Sequence, residues 1–259
     1  MYNQYKFKLR LFIIKVILNN FLNMILIVSI FSCNKVNKDP LVIGHRGAMG
    51  HVTENTIPSI NKAIELGVDG IEIDVFKCRS GEIVVFHDKK MDRLTNSSGY
   101  IEELTIDSIR NIKVNNNYVI PQLIDVLKIV PKNIFLNIEL KGDNTAKKVN
   151  EILLKFSANN SRNIDNYFVS SFNWKELEVL RSINNQIKLA VLCDKSINDA
   201  LNMASKIKAY AINPSHKLLD HKIVKNIQSK GLKVYPYTVN EKTTIKKMKE
   251  FNVDGIITD

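Results

Sequence analysis

The chain has 259 residues, 45% of them hydrophobic and 24% charged, a globular mix that excludes disorder, collagen-like repeats and coiled coil as the main state. Its formal charge is +11, but the lysines are scattered, with Lys246, Lys247 and Lys249 as the densest run, so they read as a solvated surface and no nucleic-acid partner is expected. Three cysteines exclude a disulfide scaffold and any multi-cysteine zinc module.

The chain starts basic, with Lys6, Lys8 and Arg10, and then runs apolar from Leu11 to Phe31. Lys15, Asn19, Asn20 and Asn23 interrupt that run, and its clean core, Met24–Phe31, is too short to span a bilayer. It closes on Ile30-Phe31-Ser32-Cys33, which resembles a bacterial lipoprotein signal, with an aliphatic residue three before the cysteine and a small one directly before it. On this reading residues 1–32 are removed and Cys33 becomes the lipidated first residue. Residues 34–40 form a polar tether, and the protein is exported and held by its lipid to a membrane of the cell envelope. An uncleaved anchor and a simple secretory signal are the alternatives. Residues 41–259 contain no Pro- or Gly-rich linker and read as a single domain, whose oligomeric state the sequence leaves open.

Strand-like runs follow at Leu41–Gly47, Gly70–Phe76, Ile83–His87, Asn133–Leu140, Tyr167–Phe172, Ile187–Cys193, Ala209–Asn213, Leu232–Val239 and Gly255–Thr258. Helical spacing lies between most of them. Ile57, Ile60 and Ile64 end at Gly67, and Asn173 with Glu176 opens a helix carrying Leu177, Leu180 and Ile183. Ser196 with Asp199 starts another, Leu219, Ile223 and Ile227 run to Gly231, and Ile245, Met248 and Phe251 make the last. From Asn133 onward this is the βα rhythm of a parallel barrel. Val68-Asp69-Gly70-Ile71-Glu72-Ile73-Asp74 and Val253-Asp254-Gly255-Ile256-Ile257-Thr258-Asp259 nearly repeat, which predicts equivalent helix-to-strand positions.

Nine runs are one too many for eight strands. The connection from Asp74 to Ile83 is too short for a parallel crossover, so the second and third runs form an antiparallel hairpin turning near Arg79-Ser80-Gly81. Folding about that turn sets His87 across from Glu72 or Asp74. The expected fold is therefore an α/β TIM-type (β/α)8 barrel with an antiparallel arm after its second strand.

Strand alternation sends Glu72 and Asp74 to one side, and two carboxylates on an apolar strand are costly unless a cation pairs with them. Glu139 and Lys141 sit at the same spacing near the end of another strand. Polar groups at strand ends facing the mouth are where barrel catalysis lives. Three carboxylates converging there make an oxygen site for Ca²⁺ or Mg²⁺; the alternative is that they only pair with Arg46 and Lys141. His45 and His87, both at strand ends beside the carboxylates, suit an acid/base pair, while His51, His216 and His221 read as surface residues. Arg46 and Lys141 add fixed positive charge for an anionic substrate such as a phosphodiester.

These residues match a known pattern. The chain resembles the glycerophosphodiester phosphodiesterases, relatives of the phosphatidylinositol-specific phospholipases C. The matching pieces are His45-Arg46-Gly47, Glu54-Asn55-Thr56, Gly70-Ile71-Glu72-Ile73-Asp74-Val75, Val84-Val85-Phe86-His87-Asp88, Ile138-Glu139-Leu140-Lys141, Ser170-Ser171-Phe172, Tyr237-Thr238-Val239-Asn240 and Gly255-Ile256-Ile257-Thr258-Asp259. They occur in family order. The resemblance implies a TIM-type barrel that hydrolyses deacylated phospholipids to sn-glycerol 3-phosphate and an alcohol. It implies His45 and His87 as acid and base, Glu72, Asp74 and Glu139 as ligands of one divalent cation, and Arg46 and Lys141 as phosphate-binding groups. Glycerol's own hydroxyl attacking first, through a cyclic phosphate, belongs to the same implied scheme.

The chain departs from the pattern in several places. Thr53 stands where the family usually has proline, Cys78-Arg79-Ser80-Gly81 replaces Thr-Lys-Asp-Gly, Tyr237 stands for tryptophan, and the sequence ends on Asp259 where relatives continue. These departures bear on substrate preference and on the final strand rather than on the reaction class. Phe172 and Tyr237 are placed to wall a glycerol pocket or simply to pack, and Trp174 reads as packing. Cys78 and Cys193, both placed toward the mouth, have no spacing that demands a bond. The other readings are a phosphodiesterase of intact lipids or wall polymers, and a surface lipoprotein that binds a phosphorylated ligand without turnover. An inactive descendant usually loses a histidine or a metal carboxylate, and this chain keeps them all.

Overall fold

Runs of isoleucine, valine and leucine become strands, and the amphipathic stretches between them become the helices that cover those strands. A computed structural model describes Lys15 and residues 39–259. The expected signal apart from Lys15, the lipid-bearing Cys33 and the tether through Lys38 lie outside the described residues. The strands are β1 Leu41–Gly44, β2 Gly70–Lys77, β3 Ile83–Val85, β4 Lys113–Val114, β5 Tyr118–Val119, β6 Phe135–Leu140, β7 Tyr167–Ser171, β8 Lys188–Cys193, β9 Ala211–Pro214, β10 Lys233–Val234 and β11 Gly255–Thr258. The helices are α1 Ile57–Glu65, α2 Ile106–Ile109, α3 Leu123–Ile129, α4 Ala146–Asn160, α5 Trp174–Ile183, α6 Ile197–Lys206, α7 His221–Ser229 and α8 Lys242–Glu250.

Eight strands run parallel in the order β10-β9-β8-β7-β6-β2-β1-β11. Backbone bonds from Asp254 N to Val234 O (3.1 Å), Ile257 N to Pro236 O (2.9 Å) and Val239 N to Ile257 O (2.9 Å) bring β11 back against the segment around β10. The expected barrel is therefore present. So is its arm: β3 pairs antiparallel with β2 at Val75↔Val85, Phe76↔Val84 and Lys77↔Ile83. Gly81, at φ +103°, supplies the left-handed backbone that this turn needs.

The repeated Val-Asp-Gly-Ile loops do the same job twice. Asp69 N bonds to Val42 O (2.9 Å), and Asp254 N bonds to Val234 O. The side chains return the bond, Asp69 Oδ2 accepting from Val42 N at 2.8 Å and Asp254 Oδ2 from Val234 N at 3.0 Å. Each aspartate thus pins the start of its strand to a neighbour and sets the register there.

Among the described residues, three packed regions follow from the pattern. The largest lies between sheet and helices, with Ile71, Ile73, Leu136, Val169, Leu189 and Ile212 from the strands meeting Ile60, Leu153, Leu177 and Val224 from the helices. A second fills the barrel's inside, where Ile43, Phe168, Ala190, Tyr235 and Ile257 are buried and Phe135 stacks on Phe168 at 4.8 Å. Gly70 makes room for that stack, since a Cβ there would come within 2.2 Å of the Phe135 ring. The third, around Met91, Ile101, Ile109 and Val114, belongs to an insertion between β3 and α3.

Several local expectations are corrected. The run Leu232–Val239 is a strand only at Lys233–Val234, because Pro236 has no N–H for the ladder. The first run stops at Gly44 rather than Gly47, since Arg46 (φ +51°) and Gly47 (φ +88°) turn left-handed. The third stops at Val85, and its register, carried on, would face His87 with Ile73 rather than with either carboxylate. Leu219 lies before α7, which begins at His221. The box expected from Asn173 and Glu176 does not form. Asn173 Nδ2 donates to Asp143 at 2.8 Å, and Glu176 instead accepts from Asn144 N (2.7 Å), Ala146 N (2.8 Å) and Thr145 Oγ1 (3.2 Å) at the start of α4.

Candidate active site

The strand ends at one rim of the barrel bring distant residues together. Glu72 and Asp74 point inward from β2 and Glu139 from β6, whose register pairs Asp74 with Glu139. One oxygen from each lies within 4.8 Å of the others. All three are buried, at 4%, 1% and 8% exposure. A cavity of about 190 Å³ opens above them, lined among others by His45, Arg46, Glu72, His87, Glu139 and Lys141. Phe172, Leu192 and Tyr237 also line it, with the two aromatic rings edge to face at 5.8 Å. Each residue expected at the site within the described residues is therefore at this one rim, with Asp74 just beneath the cavity. Larger surface clefts exist beside the helices, such as the one lined by Gln122, Lys128, Lys155 and Phe156, but among the described residues they hold no comparable cluster.

The carboxylates are partly paired. Lys141 Nζ lies 2.9 Å from Glu139 and 3.7 Å from Asp74. Arg46 Nε lies 3.5 Å from Asp74, and Asn55 Nδ2 donates to Asp74 at 2.8 Å. Glu72 accepts from the Arg46 backbone N–H at 2.9 Å, yet among the described residues its Oε1 has no hydrogen-bond partner. Three carboxylates against two cations leave net negative charge in a dry place. Burial first, and then the charges of Asp74 and Glu139, push Glu72 well above the ordinary carboxylate range. Burial, and then Asp74, push Glu139 up to about 7. The alternative expected above, plain pairing with Arg46 and Lys141, accounts for Asp74 and Glu139 but leaves Glu72 short. The unpartnered oxygen and the all-oxygen donor set fit a hard divalent cation held by Glu72, Asp74 and Glu139.

Both imidazoles are held by carboxylates. His45 Nδ1 lies 2.6 Å from Asp259 Oδ1, and Asn240 Nδ2 holds the other Asp259 oxygen at 2.7 Å. The bond from His45 is the first cause that keeps Asp259 below its usual range. His87 Nδ1 lies 2.6 Å from Asp88 Oδ1. A carboxylate at Nδ1 fixes the tautomer with its proton there and leaves Nε2 free to accept. Burial, reinforced by Lys141 and Arg46 and opposed by Asp74, holds His87 below the ordinary imidazole range, so at neutral pH it stands ready as a base. Lys141 Nζ is 3.3 Å from His87 Nε2. Lys141 itself stays charged, because Glu139 and Asp74 outweigh the burial that would lower it.

The groups that orient these side chains did not stand out in the sequence. Asp88 directly follows His87, and Glu54, Asn55 and Asp259 stood in the quoted motifs without a role. Arg93 carried no signal. His216 is half-buried rather than on the surface, with Nδ1 3.2 Å from Tyr237 O. Cys193 faces the layer between sheet and helices rather than the mouth, Cys78 packs under the insertion, and both thiols are free. Trp174 packs against the core and donates from Nε1 to Leu192 O at 3.0 Å.

Fold and site together place the chain among the TIM-barrel enzymes whose chemistry sits at the C-terminal rim of the strands. A sequence model of the glycerophosphoryl diester phosphodiesterase family matches residues 45–259. A glycerophosphodiester phosphodiesterase of Caldanaerobacter subterraneus subsp. tengcongensis is 34% identical over 229 residues, covering 85% of this chain and 93% of its own. One from Bacillus subtilis is 29% identical, covering 85% of this chain and 83% of its own. Among solved structures, an Oleispira antarctica phosphodiesterase in complex with the product sn-glycerol-3-phosphate superposes with a TM-score of 0.77 at 22% identity, over 85% of this chain and 92% of that one. That likeness is one of fold. The chain belongs to the glycerophosphoryl diester phosphodiesterase family.

Proposed function

We propose that this protein hydrolyses glycerophosphodiesters to sn-glycerol 3-phosphate and an alcohol, with His45 and His87 as its acid/base pair. The observation that carries the reading is the placing of two carboxylate-bound imidazoles, two cations and three clustered carboxylates on one small cavity. Arg46 and Lys141 bind the phosphate's charged oxygens. One imidazole takes the proton from the attacking hydroxyl, whether water's or glycerol's own, and the other gives a proton to the leaving alcohol. Asp259 and Asp88 keep each ring in the tautomer that presents Nε2. Glu72, Asp74 and Glu139 would hold Ca²⁺ or Mg²⁺, which when bound offsets the negative charge that grows on the nonbridging oxygens. Phe172 and Tyr237 give the glycerol carbons an apolar wall.

Cavity size favours the deacylated substrate over intact lipids. A volume of about 190 Å³ is below the ~300–1,000 Å³ typical of pockets that enclose larger ligands, and two acyl chains would have to lie outside it. A coupled assay for released glycerol 3-phosphate, run on several glycerophosphodiesters with and without chelator, tests this. Release that chelator abolishes and Ca²⁺ or Mg²⁺ restores is expected; full activity in chelator removes the metal's role, and no release from any of them removes the reaction.

We also infer from Ile30-Phe31-Ser32-Cys33 that the protein is lipidated at Cys33 and held to a membrane of the cell envelope. Metabolic labelling with a fatty acid should mark the wild type and not Cys33→Ser; equal labelling of both would overturn the anchor.

A further inference from the structure

Among the charged groups that touch no substrate position, one joins both sides of the site. Arg93 sits in the insertion after β3, with its side chain nearly half exposed, and reaches two carboxylates at once. Its Nη1 and Nη2 donate to Glu54 at 2.9 and 2.8 Å, and its Nε donates to Asp88 Oδ2. Glu54, which is buried, also accepts from Arg46 Nη1 at 2.6 Å. Asp88 in turn holds His87 Nδ1 at 2.6 Å. The chain of contacts runs His87–Asp88–Arg93–Glu54–Arg46. It ends at Glu72, which accepts from the Arg46 backbone N–H.

Resting on the phosphodiesterase reading above, we propose that Arg93 is a positioning residue: through Asp88 it sets the imidazole of His87, and through Glu54 it sets the guanidinium of Arg46. Two arms of chain supply these groups, the left-handed turn after β1 and the insertion after β3, and they share no strand pairing. A planar guanidinium suits the task because its fork binds one carboxylate with two N–H groups while Nε is left for a second. Glu54 shared between two arginines stays charged despite its burial, since the bonds from Arg93 and Arg46 outweigh desolvation. Without Arg93, Glu54 would turn wholly to Arg46 and Asp88 would keep only His87, so each reactive group would lose its fixed distance from the other.

The test uses the full-length protein, glycerophosphocholine as substrate, and Arg93→Met, which keeps the length of the side chain without its donors. A ~10- to 100-fold fall in kcat is expected, with a several-fold rise in KM, because misplacement of a reacting group by about 1 Å costs on that scale. Arg93→Lys, a point charge that cannot grip both carboxylates, should recover only part of the loss, and it replaces Arg93→Met if the latter fails to fold. The decisive comparison adds Asp88→Asn. If Arg93 acts on His87 through Asp88, the double variant should have kcat within ~3-fold of Asp88→Asn alone, because the link is already cut. A mere structural clamp predicts additive losses that follow the thermal midpoint, and additive losses, or a wild-type kcat and KM in Arg93→Met, overturn the proposal. Should the wild type itself release no glycerol 3-phosphate, it is the phosphodiesterase reading that fails. The NMR resonance of the His87 Nδ1 proton then decides for Arg93: a shift on Arg93→Met supports it and an unchanged line refutes it.

Discussion

Glu139 shows how a single side chain couples charge to folding. Burial, and then Asp74, lift it from 4.5 to about 7, and Glu72 is displaced the same way. An acid whose pKa is higher in the folded state binds its proton more tightly there. Its contribution to stability is complete below the ordinary carboxylate pKa and is lost as pH rises through about 7. A divalent cation held there would take the proton's place, so the two would compete. The rise in thermal midpoint caused by Ca²⁺ or Mg²⁺ should therefore be larger near pH ~8 than near pH ~5.5. Equal rises at both would mean that the cation binds somewhere other than these carboxylates. Alternation along β2 was enough to put Glu72 and Asp74 on one side, and the matching pair Glu139 and Lys141 was as plain. What spacing could not show is that Glu72 keeps an oxygen without a partner, since that depends on where the Arg46 side chain turns.

Among the elements, α4 begins with its first N–H and the polar groups just before it facing a buried carboxylate from another helix. Glu176 of α5 takes the bonds of Asn144, Thr145 and Ala146, so it works as a cap supplied from outside. Glu176→Ala would strand those donors in a dry place and should cost about 2–3 kcal/mol, a fall of roughly 5–10 °C in thermal midpoint for a domain of this size. A fall of under about 1 °C would show that water replaces the carboxylate at no cost. The sequence suggested Glu176 as a local capping partner of Asn173, because a pattern read along the chain sees neighbours in sequence only. The small hairpin β4–β5 was missed for another reason. Its strands are two residues each, too short to show alternation. The signal lay in Asn115 and Asn116, whose φ values of +46° and +60° suit the asparagine-rich turn that closes such a hairpin. Where patterns were long, as in β2, β6 and β8, strand ends fell within two residues of expectation. Pro236 broke one of the two longest expected runs.

For the whole molecule, eight parallel strands gather, at one rim, groups that are up to 214 positions apart, as His45 and Asp259 are. The barrel was legible because its βα rhythm, its hairpin and its repeated Val-Asp-Gly-Ile loops all pointed to the same closure. The insertion's own packed region around Met91 and Ile109 was not, although it is the piece that carries His87, Asp88 and Arg93 to the mouth. Whether the two imidazoles act together on one phosphodiester is decided by the rate of glycerol 3-phosphate release from His45→Ala and from His87→Ala, each checked to melt as the wild type does. A fall of at least ~10²-fold is expected in both. A wild-type-like rate in either would contradict their joint action.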